Sequence, residues 1–310
     1  MNKVTNSTKP VAAIDCGTNS IRLLIMAAGN PPVEITRKLE LVRLGQGVDA
    51  TGEFHPDALA RTFAACDSYV ADIAAAGCEE IRFVATSAAR DARNKEVFLA
   101  GVRQRFGVEA EVISGAEEAQ LSFTGATSGV QRSSPVLVFD IGGGSTELVF
   151  GQDNQVEKAV SLDVGSVRIT ERFFKHRPPT EDEISKAAET VGNLLDESGI
   201  DFSKVATLIG VAGTVTSMAA VVQKLPVYDR EKVHNYQMSA EDIFTTTKKW
   251  LTSSTADLIS AGIHPMRAEV LPAGALILSE IIRRVPVSGV VVSESDILDG
   301  VAFALLATNL

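Results

Sequence analysis

Apolar and polar positions along these 310 residues follow two rhythms, and the switches between them mark the elements. Short apolar runs bounded by turn residues predict strands at 11–16, 21–27 and 33–44. From about Pro56 the spacing lengthens. Leu59, Phe63, Cys66, Val70 and Ile73 share one face at the helical period, and proline suits a first helical turn. A strand at 81–86 leads through Thr86-Ser87-Ala88-Ala89-Arg90 to a helix from about Asn94, a short strand at 109–113 and a helix from about Gly115. After the turn-like segment 131–135 the pattern begins again as strand, turn, strand, strand, with a helix from about Ser166. His176-Arg177-Pro178-Pro179 then breaks the chain before a helix opened by a Thr180/Glu183 capping box. A strand at 205–212 enters Gly213-Thr214-Val215-Thr216, and strongly apolar helices at 271–282 and 297–306 flank a strand at 289–293. Alternation of strands and helices predicts α/β layers.

Within this pattern one device occurs twice: Ile14-Asp15-Cys16-Gly17-Thr18-Asn19-Ser20 and Phe139-Asp140-Ile141-Gly142-Gly143-Gly144-Ser145-Thr146-Glu147. An apolar strand delivers an aspartate, and Gly with Ser/Thr lets the backbone bend so that N–H groups and hydroxyls converge on an anion. A strand follows each turn, so neither is a P-loop nor a dinucleotide-binding GxGxxG, both of which open a helix. The aspartates stand 125 positions apart (140 minus 15). Duplication at that distance predicts two similar domains facing each other, each offering a turn to one phosphorylated ligand between them. Gly213-Thr214-Val215-Thr216 reads as a third turn of glycine and hydroxyls.

A hydrophobic content of 45% over this length is enough for two full cores. The net charge of -10 disfavours nucleic acid as a partner. A highly phosphorylated small molecule is compatible with it, provided that arginines and a divalent metal make the field locally positive. The longest apolar run, around Val270 to Leu278, contains Pro272 and is far short of the ~20 residues that span a bilayer. No membrane association is expected. The opening MNKVTNSTKP has no apolar signal core, which predicts a cytoplasmic protein. Cys16, Cys66 and Cys78 form no CxxC and read as structural thiols; the four histidines lack zinc-ligand spacing.

Ser114 and Glu117 have capping-box spacing, which leaves Glu118, about 100° further round the helix, to face a cleft and take a proton from water. The plainer reading is that both glutamates favour a helix N-terminus electrostatically. Asp15, Asp140 and Glu147 are the metal candidates, and oxygen ligands suit Mg²⁺ or Mn²⁺. Against this, each aspartate can cap its own turn, and Glu147 can lie on a solvated strand face. Arg90 can meet an anion at the helix N-terminus formed by Thr86 and Ser87, or be an ordinary surface arginine. Arg22 and Arg267 are candidates for a longer phosphorylated tail.

The combination IDCGTNSIRLLI, VATSAARDARN, VISGAEEAQLSF, VFDIGGGSTELVF, LDVGSVRITERFF, LIGVAGTVTSMAA and RAEVLPAGALILSEII resembles the exopolyphosphatase and guanosine pentaphosphate phosphohydrolase (Ppx/GppA) family, in order over residues 11–308. The resemblance implies an α/β fold of two actin-like (ribonuclease H-like) domains with an interdomain cleft: residues 1–130, rejoined by the last helix at 297–310, and residues 131–296. It implies hydrolysis of a terminal phosphoanhydride by a metal-assisted water, on inorganic polyphosphate or alternatively guanosine pentaphosphate. The general base falls on Glu118. Phosphate and metal residues fall on Asp15, Gly17, Thr18, Asn19, Ser20, Arg90, Asp140, Gly142, Gly143, Gly144, Ser145 and Glu147, and the third turn on Gly213 and Thr214. Two departures stand out. Cys16-Gly17-Thr18 replaces an aliphatic residue, Gly and Ser but keeps the hydroxyl, and the chain stops at Leu310 without the additional C-terminal domains that help hold long chains, which argues against strong processivity. A superfamily kinase and a non-catalytic guanosine tetra- or pentaphosphate sensor are the readings from other classes. The apolar final helices read as core and, alternatively, as a homodimer surface.

Overall fold

The computed structural model describes residues 9–29, 32–152 and 155–308. Its first sheet is made of β1 (Val11–Cys16), β2 (Ser20–Ala27), β3 (Val33–Leu41), β4 (Glu80–Ala85) and β5 (Ala110–Val112), in the order β3-β2-β1-β4-β5. All six residues of β1 are buried, as suits a central strand covered on both faces. It runs antiparallel to β2 and parallel to β4. Between the strands lie α1 (Val48–Thr51), α2 (Pro56–Ala76), α3 (Ser87–Asp91) and α4 (Lys95–Phe106). The apolar stripe read for α2 is the buried one: Leu59, Cys66 and Ile73 enter the core, and Phe63 and Val70 pack at its margin. Pro56 starts the helix and Gly77 ends it at φ 69°, a left-handed value that glycine adopts without strain. Burial pushes the Cys66 thiol up to about 12, consistent with a structural cysteine.

The second sheet repeats the plan. It follows α5 (Gly115–Ala126) and contains β6 (Val136–Ile141), β7 (Thr146–Gln152), β8 (Gln155–Leu162), β9 (Thr207–Val211), β10 (Gln237–Ser239) and β11 (Gly289–Val292), ordered β10-β11-β9-β6-β7-β8. Again the first strand, β6, is wholly buried, antiparallel to its successor β7 and parallel to β9. The helices are α6 (Ser166–Phe173), α7 (Glu181–Glu197), α8 (Ala212–Val222), α9 (Arg230–Val233), α10 (Ala240–Thr252), α11 (Thr255–Ser260), α12 (Pro265–Ala268), α13 (Leu271–Ile282) and, last, α14 (Ile297–Thr308). Thr180 and Glu183 do form the capping box of α7. The sequence pattern passed over β10, α10 and α11 among other short elements.

The chain divides into two compact units, residues up to Ser114 with the segment from Ile297, and Gly115–Asp296. The division corrects the expected boundary at 130/131. Helix α5, counted from sequence with the first half, packs on β8, β7 and β6 and belongs to the second unit. The terminal parts 1–8 and 309–310 of the expected domains lie outside the described residues. Helix α14 packs on β1 and β2 of the first unit, where Asp299 takes a bidentate ion pair from Arg37 of β3 at 2.6 and 3.2 Å. The hydrophobicity of α13 is spent within the second unit, where eleven of its twelve residues are buried. Among the described residues no helix is long and apolar enough to cross a membrane.

Gly210 of β9 shows how closely the second core is packed: an added Cβ would stand 2.5 Å from Phe139 Cζ and 3.0 Å from methyls of Val215 and Val290. Gly210→Ala is expected to destabilise the protein by about 1–3 kcal/mol through overpacking. The check is urea denaturation, with a lower midpoint at an unchanged slope.

Candidate active site

The duplicated motifs fold into matching hairpins. In the first unit Gly17 N–H donates to Ser20 O at 2.9 Å, and in the second Gly142 N–H donates to Ser145 O at 3.0 Å. None of these turn glycines has a left-handed φ, so the sharp bend does not depend on glycine's conformational freedom. Gly142 serves close approach instead. A Cβ on Gly142 would sit 3.2 Å from Ser145 O.

The residues opposite the two aspartates differ. Asp15 stands in register with Arg22, and Asp140, 125 positions on, with Glu147 (22 plus 125). Arg22 grips Asp15 Oδ2 through Nε at 3.0 Å and a terminal nitrogen at 2.5 Å, part-buried. The sequence reading assigned Asp15 to a metal and Arg22 to a substrate tail; the structure pairs them with each other. In the same unit Thr18 is buried, and Gly45 leaves room for it, since a Cβ there would meet Thr18 Cγ2 at 2.2 Å. The Asn19 carbonyl accepts the N–H groups of Val42 and Arg43, and its Oδ1 is buried without a hydrogen-bond partner. Ser20 opens β2. Thr86 immediately precedes α3, a helix of only five residues, and Arg90 on that helix donates to Ile113 O at 3.0 Å, which holds its guanidinium beside the end of β5.

In the second unit, acid meets acid. Asp140 and Glu147 are 8% and 2% exposed, opposite each other on neighbouring strands. Glu147 is therefore not on a solvated face. Burial pushes its carboxyl well above the ordinary carboxylate range; the charges of Glu118 and Asp140 push the same way, and hydroxyls of Ser161 and Ser145 oppose them. Ser161 donates to Glu147 Oε1 at 2.7 Å. Glu118 reaches this group from the first turn of α5, itself 9% exposed, whereas Glu117 beside it is exposed. The two adjacent glutamates thus separate as the helical geometry implies. Gly115 sets the approach: a Cβ there would stand 2.3 Å from Ser161 Cβ, so α5 comes down on the same serine that steadies Glu147.

The glycine turn beside these carboxylates is held by α6. Ser166 N–H donates to Gly142 O, Val167 and Arg168 N–H to Gly143 O, and Arg168 Nε to Gly144 O, at 2.8 to 3.1 Å. With its carbonyls drawn onto the helix start, the turn keeps its N–H side for an anion. Gly213 and Thr214 correct the third turn: both lie in the first turn of α8, entered through Ala212 at a left-handed φ of 64°. Thr214 is buried against Gly274 of α13. Arg267 lies over that helix start, donating to Ser217 Oγ at 2.7 Å and Gly213 O at 3.3 Å.

Among the described residues no three His, Cys, Asp or Glu side chains converge as a ready metal cage. Two opposed buried carboxylates, Asp140 and Glu147, with a third acid beside them nevertheless suit a hard divalent cation that draws its other ligands from phosphate oxygens and water.

A model of the Ppx/GppA phosphatase family matches residues 26–309. The chain belongs to that family. It is 40% identical to Exopolyphosphatase 2 of Mycobacterium tuberculosis over 95% of this chain and 98% of that protein. It is 25% identical to a guanosine-5′-triphosphate,3′-diphosphate pyrophosphatase of Photobacterium profundum over 96% of this chain and 59% of that protein. The crystal structure of an exopolyphosphatase-like protein, 40% identical, matches with a TM-score of 0.94 over 97% of this chain and all of the other.

In this Ppx/GppA chain, sequence reasoning did not assign Ser161, Ser166 or Arg168 to the site. The latter two stand in the LDVGSVRIT segment, whose link to the glycine turn is made only by folding. Gly165 is the tightest point of that link, since a Cβ would lie 2.4 Å from Gly143 O and 2.7 Å from Gly144 N. Gly165→Ala is expected to displace the turn. It should lower stability by about 1–3 kcal/mol, and a heteronuclear NMR spectrum should show amide shifts concentrated at residues 140–146.

Proposed function

We infer that this protein is an exopolyphosphatase that releases orthophosphate from the end of inorganic polyphosphate. The observation that carries this reading is the buried Glu118 carboxylate beside Asp140 and Glu147, next to a turn whose backbone is held ready for an anion. The name of the 40% identical mycobacterial relative supports it. In this mechanism the N–H groups of Gly143, Gly144 and Ser145 orient the terminal phosphate. Glu118 positions a water in line with the bridging oxygen and accepts its proton. The water oxygen forms the new bond to phosphorus as the bridging P–O bond breaks. Orthophosphate and a chain one phosphate shorter leave. Asp140 and Glu147 would hold Mg²⁺ or Mn²⁺, which when bound supplies positive charge to the phosphate oxygens. The first unit has its own phosphate candidates in Thr18, Asn19, Ser20 and Arg90, while Asp15 serves its own turn through Arg22. Three free cysteines agree with a cytoplasmic enzyme.

The second reading keeps the same chemistry on guanosine pentaphosphate, losing its 5′-terminal phosphate. It is favoured by Arg267, a cation beside the end of β9, the strand next to Asp140. Phosphate release from medium-length polyphosphate and from guanosine pentaphosphate, compared on one preparation, distinguishes the two.

Glu118→Gln is expected to lower phosphate release by about 10² or more while leaving polyphosphate affinity close to that of the parent, because only proton transfer is removed. Unchanged release would remove Glu118 as the base. Chelation with EDTA should abolish release, and Mg²⁺ or Mn²⁺ should restore it.

A further inference from the structure

The parallel strands β6, β9 and β11 of the second unit end side by side, and ligands of open α/β sheets bind beyond such ends. Asp140 is paired with Val211 at the end of β9. Ser293, just past β11, donates from its backbone to Gly210 O at 2.9 Å. The row therefore runs from Asp140 past the Gly213 helix start with Arg267 to Glu294. That span is two strand spacings, about 10 Å.

At its far end stands Tyr228, whose hydroxyl donates to Glu294 Oε1 and also meets Thr216 on α8. Glu294 is itself held: Arg230 Nε lies 3.4 Å from its Oε2, and its N–H donates to His234 Nδ1 at 3.2 Å. The Arg267 guanidinium acts on the phenol electrostatically. The ring's polar end is thus fixed, while the residue as a whole is 50% exposed, and Val227 before it is 77% exposed. An aromatic residue clamped by its hydroxyl and open to solvent loses little freedom when a second ring stacks on it.

We propose that Tyr228 is a stacking platform for the base of a nucleoside polyphosphate, whose phosphates run back along the strand ends past Arg267 to Asp140 and Glu147. The order of groups matches such a ligand: carboxylates and anion turn where the terminal phosphate sits, a guanidinium in the middle, and an aromatic face at the end. A plain phosphate chain has nothing to place on the ring. Tyr228 therefore biases the site towards nucleotides without touching the reacting phosphate. The proposal rests on the phosphate end being where the preceding section puts it.

The test is calorimetric binding of guanosine pentaphosphate and of tripolyphosphate in Mg²⁺ buffer, on a Glu118→Gln background that prevents turnover. The readout is the ratio of the two affinities. Tyr228→Ala is expected to weaken nucleotide binding by about 5- to 150-fold, the range that corresponds to a stacked base, with a much smaller effect on tripolyphosphate. Tyr228→Phe, which keeps the ring, should retain most of the affinity. Should Tyr228→Ala fail to fold, Tyr228→Leu supplies bulk without a π face and has the same expected outcome. No nucleotide binding by the parent, an undiminished affinity in the variant, or equal losses on both ligands would overturn the proposal. Failure of the parent enzyme to hydrolyse either substrate would overturn the exopolyphosphatase reading instead, and leaves the affinity ratio to judge Tyr228.

Discussion

Carboxylates withdrawn from water repel one another and lose hydration, and the second unit keeps Glu118, Asp140 and Glu147 together under those conditions. Hydroxyls of Ser161 and Ser145 offset part of the cost at Glu147, but hydroxyls carry no charge. The arrangement makes physical sense as a receptor for positive charge, or for a ligand that brings positive charge with it. The first unit, with the same hairpin, meets the same problem differently. At the position equivalent to Glu147 it places Arg22, and the buried Asp15 is neutralised from within. One backbone plan thus carries an acid opposite a base in one turn and an acid opposite an acid in the other.

That contrast depends on backbone placement being nearly free of side-chain influence. Both turns close through the same hydrogen bond, from the glycine N–H to the serine carbonyl three residues on, although the intervening residues are Thr-Asn in one and Gly-Gly in the other. What differs is the surrounding support. Gly45 yields space to Thr18 in the first unit, and Gly165 yields space to the Gly143 carbonyl in the second. Gly115 does the same for α5, and so decides how near Glu118 comes to Glu147. These glycines act through absent atoms at contacts between segments, not through unusual dihedrals.

Much of this was legible locally. The repeated strand-turn-strand motif, the helical stripe of α2 and the Thr180/Glu183 box each express short-range rules, and each forms as read. Glu117 and Glu118 separate into exposed and buried because successive helical residues point about 100° apart. Where the local signal was ambiguous the reading erred. Gly213-Thr214 has the composition of a turn and lies in a helix, and α5 follows the first half in sequence yet packs on the second sheet. Nothing in a single segment states which distant strand will cover its apolar face.

The amino-acid order by itself determined most of the element types, the two-fold repetition and the residue kinds available for phosphate chemistry, because periodicity, capping and turn preference act over a few neighbouring residues. Folding alone decided the partners: Asp15 with Arg22 but Asp140 with Glu147, Arg168 on the glycine turn, and Tyr228 clamped by Glu294. The two hairpin pairings follow from strand register over seven residues, and the others from close packing between segments farther apart in sequence. A charge or a hydroxyl acquires its role only from the neighbours that register and packing supply.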